Sequence, residues 1–434
     1  MKTMFRSIES FLILLIILIS SSAVCQSSLE EKIRCLPGIV NVKSIEPGSD
    51  FKEAFEIFIE QPVDHHNPDG EKFTQKLYLS HRDESLPMVI EMDGYIITYN
   101  RPGELEDILN CNRIIVEHRY FGESKPESME WEHLTVENAA ADHHNIIQSF
   151  KNIYQANWIG TGISKGGQTA IFHKYFYPDD VLVTVPYVAP LNIAEEDPRI
   201  YHFLRNVGTE ECRENIIQFQ REVLKRADEL IPMFRKRAEK NGYTYSIGNE
   251  RMIFEYIVLE YSFAFWQWGN DNCIDIPLTD ATDKDLLKHL ETNSSFSYFS
   301  DQGLEPIAPF FYQAYTEMGY YGYDITNFKD LLKEVKEPTS KIFLPKDNNL
   351  DFDCSLMHDI NIWVQKHGNN MLFIYGENDT WSAAAVELTG ETNSIKMVKE
   401  GGSHRTRISS FSNDEKEIIY SALEDWLGIE IDRK

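Results

Sequence analysis

Apolar and polar positions change rhythm several times along the 434-residue chain. Residues 54–59 (AFEIFI) alternate, and Leu77 and Leu79 alternate within 76–80. The turn Asn67-Pro68-Asp69-Gly70 between them predicts an opening β-hairpin. Short apolar runs follow at 87–92 (PMVIEM), 113–117 (RIIVE), 158–159 and 181–188 (VLVTVPYV). Ala139, Ile146, Ile147, Phe150 and Ile153 keep helical spacing over 138–154. Strands apolar on both faces, alternating with amphipathic helices, predict a mostly parallel sheet covered on both sides. Near residue 194 the rhythm becomes helical: 212–241 predicts one long helix, and 252–268 another, rich in Phe, Tyr and Trp. Strand character returns at 370–375 (NMLFIY) and 394–398 (SIKMV), and 414–427 predicts a closing amphipathic helix. The expected organisation is an α/β core built from 26–194 and 345–434, with a large helical cap insertion at 195–344.

The N-terminus follows a different logic. Lys2 and Arg6 precede the run FLILLIILI at 11–19, and Ser20, Ser21, Ser22 and Ala23 follow. The run is too short to span a bilayer comfortably, and the layout is that of a cleaved signal peptide over 1–25. A secreted or periplasmic destination follows. Lipid anchoring at Cys25 is the minor alternative, and Val24 before it is a poor fit. No other segment is apolar enough to cross a membrane, so no stable insertion is expected after signal removal. Export permits disulfides, but without Cys25 five cysteines remain and one is left over. The expected pairs are Cys35–Cys111 and Cys212–Cys273.

Composition narrows the partners. With 42% hydrophobic and 26% charged residues the chain is an ordinary soluble globular protein. The formal net charge of −27 excludes a general nucleic-acid reader, which needs a basic face. It also disfavours anionic membrane surfaces, and it attracts cationic peptide N-termini.

The chemistry concentrates at three points. Residues 158–169 read WIGTGISKGGQT, in which Gly162-Ile163-Ser164-Lys165-Gly166 fits G-x-S-x-G between a strand and a helix. Small residues at 162 and 166 let a tight strand-to-helix turn close and present Ser164 as a nucleophile. A phosphate-binding loop is the weaker rival, because Lys165 follows Ser164 directly and the Gly-x-x-x-x-Gly-Lys spacing is absent. Further on, LFIYGENDTW (372–381) carries Asp379 beyond a strand end, and IKMVKEGGSH (395–404) carries His404 beyond the next. The order Ser, Asp, His, each on a strand-end loop, predicts an α/β-hydrolase fold with a Ser164–Asp379–His404 triad. The two tips are 25 positions apart, which leaves room for one helix and one strand. Glu377 is the rival acid, closer to its strand and expected to turn aside. The oxyanion hole should combine the N–H of Lys165 with that of Gly94 or Tyr95 after the first parallel strand. The Lys165 side chain is expected in solvent. Asp64-His65-His66 and Asp142-His143-His144 resemble metal ligands in composition, but adjacent residues point apart, so structural or exposed roles are expected and no metal or other cofactor. The aromatic stretches 263–268, including Trp266, and 310–323 form either the core of the insertion or a pocket wall facing the nucleophile.

Residues 160–192 (GTGISKGGQTAIFHKYFYPDDVLVTVPYVAPLN) resemble the secreted bacterial prolyl tripeptidyl aminopeptidase family of serine peptidases. EHRYFGES (117–124), QPVDH (61–65) and QAYTEMGYYGY (313–323) support this, and are also similar to the prolyl carboxypeptidase and dipeptidyl peptidase II family. The resemblance covers nearly the whole mature chain. It implies an exopeptidase releasing short N-terminal peptides from substrates with proline at the cleaved bond, and the same triad. An acidic residue should hold the substrate amine, with Glu123, Glu317 and Asp142 as candidates. An esterase or lipase of the same fold, and a non-catalytic binding protein, are the alternatives.

Overall fold

A computed structural model describes residues 28–345 and 350–433; the 1–25 segment, with Cys25, lies outside them. Nine strands form one sheet in the order β1-β2-β3-β5-β4-β6-β7-β8-β9. Helix α1 (Leu29–Arg34) precedes β1 (Ile39–Ile45), β2 (Glu53–Pro62) and β3 (Lys72–His81). These three strands pair antiparallel, and β2 and β3 are the predicted hairpin, in register from Glu53↔His81 to Pro62↔Lys72. β4 (Met88–Met92), α2 (Leu105–Ile108) and β5 (Asn112–Val116) follow, then α3 (Val136–Phe150), β6 (Trp158–Ile163), α4 (Lys165–Phe176) and β7 (Val183–Tyr187). β8 (Leu372–Gly376), β9 (Ile395–Lys399) and α13 (Asn413–Leu427) complete the core. From β5 to β9 every neighbouring pair is parallel. This is the mostly parallel α/β-hydrolase arrangement.

Alternation along the strands divides the core into two faces. Ile57, Leu77, Ile90 and Ile114 pack with Ile146, Ile147 and Phe150 of α3. Val89, Ile159, Val185 and Ile374 pack with Leu105 of α2 and with Ile419, Leu423 and Leu427 of α13. Burial on both faces explains why these strands read as continuous apolar runs.

Between β7 and β8 the chain is helical: α5 (Pro198–Leu204), α6 (Glu210–Lys225), α7 (Ala227–Asn241), α8 (Glu250–Trp268), α9 (Asp283–Asn293), α10 (Asp301–Leu304), α11 (Ala308–Gln313) and α12 (Ser355–Lys366). The single helix expected over 212–241 is two. Arg226 leaves helical geometry at φ −93° and ψ 16°, and its guanidinium bonds Glu222 and the carbonyls of Thr279 and Ala281. The break lets α7 fold back beside α6 while the side chain ties the corner to the next segment. Cys212 and Cys273 are bonded as expected, joining the start of α6 to the turn after α8. The other expected pair does not form: Cys35 is exposed after α1, Cys111 is buried before β5, and both are free thiols. The spacing between Asp379 and His404 leaves room for a helix and a strand. The chain instead makes a short 3₁₀ turn, Thr380–Ala384, before β9, because Thr380 and Trp381 are pinned under α8 and the aromatic insertion.

Candidate active site

β6 ends at Ile163, and Ser164, with φ 57° and ψ −121°, makes the turn before α4 begins at Lys165. A positive φ at a non-glycine residue costs free energy and is retained where the surroundings enforce it. Here a β-carbon on Gly162 would lie 2.1 Å from the Gly166 carbonyl oxygen, and one on Gly166 would lie 2.5 Å from that of Met92. The Ser164 amide is held by the Tyr187 carbonyl at 2.8 Å. The turn is therefore as tight as the motif requires, with the hydroxyl carried past the carboxyl end of β6.

Past the ends of β8 and β9, Asp379 and His404 meet. His404 Nδ1 lies 2.7 Å from Asp379 Oδ2, and the other carboxylate oxygen accepts the Trp381 amide at 3.2 Å. Both side chains are buried. A carboxylate accepts, so Nδ1 is the donor that this geometry suits, and in a neutral imidazole that leaves the lone pair on Nε2. Glu377 is turned to the opposite loop, where it accepts the Gly401 amide at 2.8 Å. A β-carbon on Gly376 would lie 2.5 Å from the Ser403 carbonyl oxygen, so this glycine is what lets the two loops close together.

The loop after β4 presses on the same turn. A β-carbon on Gly94 would lie 2.7 Å from the Gly166 amide nitrogen. The Tyr95 amide, expected as a possible oxyanion donor, is spent on Asp93 Oδ1 at 2.8 Å. The amides of Gly94 and Lys165 have no acceptor among the described residues. Beneath the loop, Arg101 bridges Asp93 and Glu91, and Arg113 bonds Glu91. Glu117 accepts the amides of Ile97, Glu123 and Ser124. The EHRYFGES stretch is thus largely scaffold, with Arg119 bound by two nitrogens to Asp142.

Lys165 is not in solvent. Its side chain is buried, with Nζ 5.4 Å from the centre of the Phe121 ring and 5.8 Å from that of Tyr95. Burial pulls its pKa down to about 7, against the opposing charge of Asp93. The signal was available in the motif: the residue after an elbow serine starts the helix beside the preceding strand's loop, so its side chain is enclosed.

The candidate amine-binding acids separate by environment. Glu123 is exposed and pairs with Lys76 Nζ at 2.6 Å. Asp142 is fully engaged by Arg119 and by His65 Nε2 at 2.7 Å. Glu317 lies in a π-helical turn, Ala314–Met318. It accepts the Val136 amide at the start of α3 at 2.8 Å and has no cationic partner among the described residues. Burial pushes its pKa up to about 7. Glu260, which sequence reasoning passed over, is also pushed up to about 7 by burial, but hydroxyls of Tyr321 and Tyr323 already satisfy it.

Trp266 lines a cavity of about 190 Å³ between α5, α6 and α8, with Phe263 and Tyr321. Trp268, two residues on and about 200° round the helix, is the tryptophan that meets His404, at 5.6 Å and 84° between rings. Choosing between them needed the helical phase of α8, not its aromatic content. Among the described residues, Glu130, Glu132 and His133 alone bring three metal-type ligands together, on a surface turn; they carry no further evidence of a site.

The PS-10 peptidase S37 family matches residues 26–433. The chain belongs to that family. It is a serine peptidase and so a hydrolase. A prolyl tri/tetrapeptidyl aminopeptidase of Streptomyces mobaraensis is 33% identical over 414 residues, covering 93% of this S37 peptidase and 86% of the relative. Among solved structures, a proline iminopeptidase of Mycobacterium smegmatis aligns at 11% identity and TM-score 0.40, covering 86% and 99% of the two chains. Epoxide hydrolase A of Mycobacterium thermoresistibile aligns at 13% and 0.36, covering 90% and 99%. With likenesses this distant, the fold rests on the sheet order. No helix among the described residues is long and apolar enough to cross a membrane.

Proposed function

We propose that this S37 peptidase is an exported exopeptidase that removes short peptides, chiefly tripeptides, from free N-termini and cuts after proline. The observation that carries the reading is the buried Asp379–His404 pair at the ends of β8 and β9, with Ser164 held in a strained turn at the end of β6. In this scheme His404 Nε2 takes the Ser164 proton as Oγ attacks the scissile carbonyl. The amides of Lys165 and Gly94 hold the oxyanion. The protonated His404 then gives its proton to the leaving nitrogen, and water repeats the cycle on the acyl-enzyme. Glu317 receives the substrate ammonium, because of the three candidate acids it is the one without a cationic partner among the described residues, and a single amide is its hydrogen-bond donor. The helical insertion at 195–344 caps the sheet and limits entry to chain ends, and residues 1–25 direct export.

The test uses purified mature protein with chromogenic amides of Pro, Ala-Pro, Ala-Ala-Pro and N-acetyl-Ala-Ala-Pro, and with a short-chain ester. Turnover should favour the free tripeptide and fail for the acetylated one. Ester turnover without amide turnover would make the protein an esterase. Absence of all turnover and of fluorophosphonate labelling at Ser164 would make it a binding protein. Ser164→Ala should fold normally and lose activity; wild-type rates would remove the assigned nucleophile.

A further inference from the structure

His404 does not sit on its loop alone. Four consecutive residues at the end of α8 meet three consecutive residues around it. The Gln267 carbonyl accepts the His404 amide at 2.8 Å. Trp268 packs edge-on against the imidazole. Gly269 comes so close to Ser403 that a β-carbon would lie 3.3 Å from the serine's own. Asn270 Oδ1 accepts Arg405 Nη2 at 2.9 Å. The Arg405 guanidinium lies over the Trp268 ring at 6.0 Å from its centre, so Trp268 stands between an imidazole and a cation. Trp268 is 39% exposed, and Arg405 is exposed with no acidic partner among the described residues. A solvent-facing arginine without a carboxylate is unexpected in a chain of net charge −27.

The chemistry says what passes this spot. Whatever group protonates the leaving nitrogen must lie beside it, so the departing peptide leaves along the flank of that imidazole. We propose that Trp268 and Arg405 form the leaving-side subsite, and that it selects peptides carrying a carboxylate just beyond the cleaved bond. Trp268 supplies a rigid apolar face for the first departing residue and holds the guanidinium by stacking. Arg405 supplies a planar, permanently charged fork for an aspartate or glutamate side chain, or for the terminal carboxylate of a short substrate. The inference rests on His404 being the group that protonates the leaving nitrogen.

The experiment compares kcat/KM for Ala-Ala-Pro-Ala-Asp-amide, its Asn and Lys counterparts, and Ala-Ala-Pro-Ala-Asp with a free carboxylate. The expected Asp-to-Lys ratio is about three- to tenfold at low salt, the range of a partly exposed ion pair and its like-charge counterpart, and it shrinks at high salt. Arg405→Gln should bring the ratio to about one, and Arg405→Glu should invert it. Because the readout is a ratio between substrates sharing one acyl part, a general loss of activity does not move it. A wild-type ratio near one, or a ratio unchanged in Arg405→Glu, overturns the subsite. His404→Ala separates the two levels of inference: full turnover in that variant removes the base and the leaving side with it, whereas an inactive His404→Ala with a flat wild-type ratio removes the subsite alone.

Discussion

Lys165→Met tests the least expected feature of the site. The wild-type amine is buried between the rings of Phe121 and Tyr95, and burial lowers its pKa from 10.5 to about 7. A displacement of that size corresponds to about 4–5 kcal/mol against the charged form. The unfolded lysine titrates near its ordinary value, so between the two pKa values the unfolded chain holds the extra proton and wild-type stability rises with pH. Below about pH 7 both states are charged and the whole cost of burying the ammonium falls on the fold. Methionine fills nearly the same volume without the charge, and it forfeits a cation–ring attraction of about 0.5–2 kcal/mol. The variant should therefore be more stable by about 2–4 kcal/mol near pH 6, and by less than about 2 kcal/mol near pH 9. Urea unfolding at both pH values, followed by tryptophan fluorescence with matched slopes, measures the difference. A gain that does not change with pH would mean that Lys165 is not titrating in this interval. A loss at the acid end would mean that the aromatic rings outweigh desolvation.

Other expectations concern the site and its supports. Asp379→Asn should leave the fold intact and cut turnover on the order of thousands-fold, since the imidazole tautomer is then unset; a loss of only a few-fold would move the role to Glu377. Glu317→Gln should raise KM for free-amine substrates far more than it lowers kcat. In the wild type, protonation of Glu317 below about pH 7 should raise KM as pH falls, and a KM profile shared by wild type and variant would exclude Glu317 as the amine's partner. Cys273→Ser opens a bridge spanning 61 residues, worth about 2–4 kcal/mol by loop-closure entropy; an unfolding midpoint unchanged from wild type would show that packing of α6 on α8 carries the segment.

The parallel sheet was legible because its strands are buried on both faces and therefore read as apolar runs, as 181–188 does. The tight turn at Ser164 was legible because only glycine tolerates the contacts made at 162 and 166. What was not legible depends on neighbours far away in sequence. The break at Arg226 is set by carbonyls more than fifty residues on. Cys111 has no partner because β5 carries it into the core while Cys35 stays on the surface. The Tyr95 amide, expected to be free as a donor, is captured by a carboxylate two residues back. Glu123 and Glu317 are the same residue type in similarly suggestive stretches, and only burial and the position of Lys76 tell them apart.

The bond from the His404 amide to the Gln267 carbonyl also bears on how such a chain can change over time. An insertion that merely roofs a sheet is a detachable module, free to be shortened, replaced or exchanged between relatives. Here the end of α8 supplies part of the footing of a residue 137 positions further along. Exchanging the inserted helices would remove that support from His404 while leaving the core sheet whole. The register of α8 against the 403–405 loop is therefore a constraint on the chain that its core strands do not reveal.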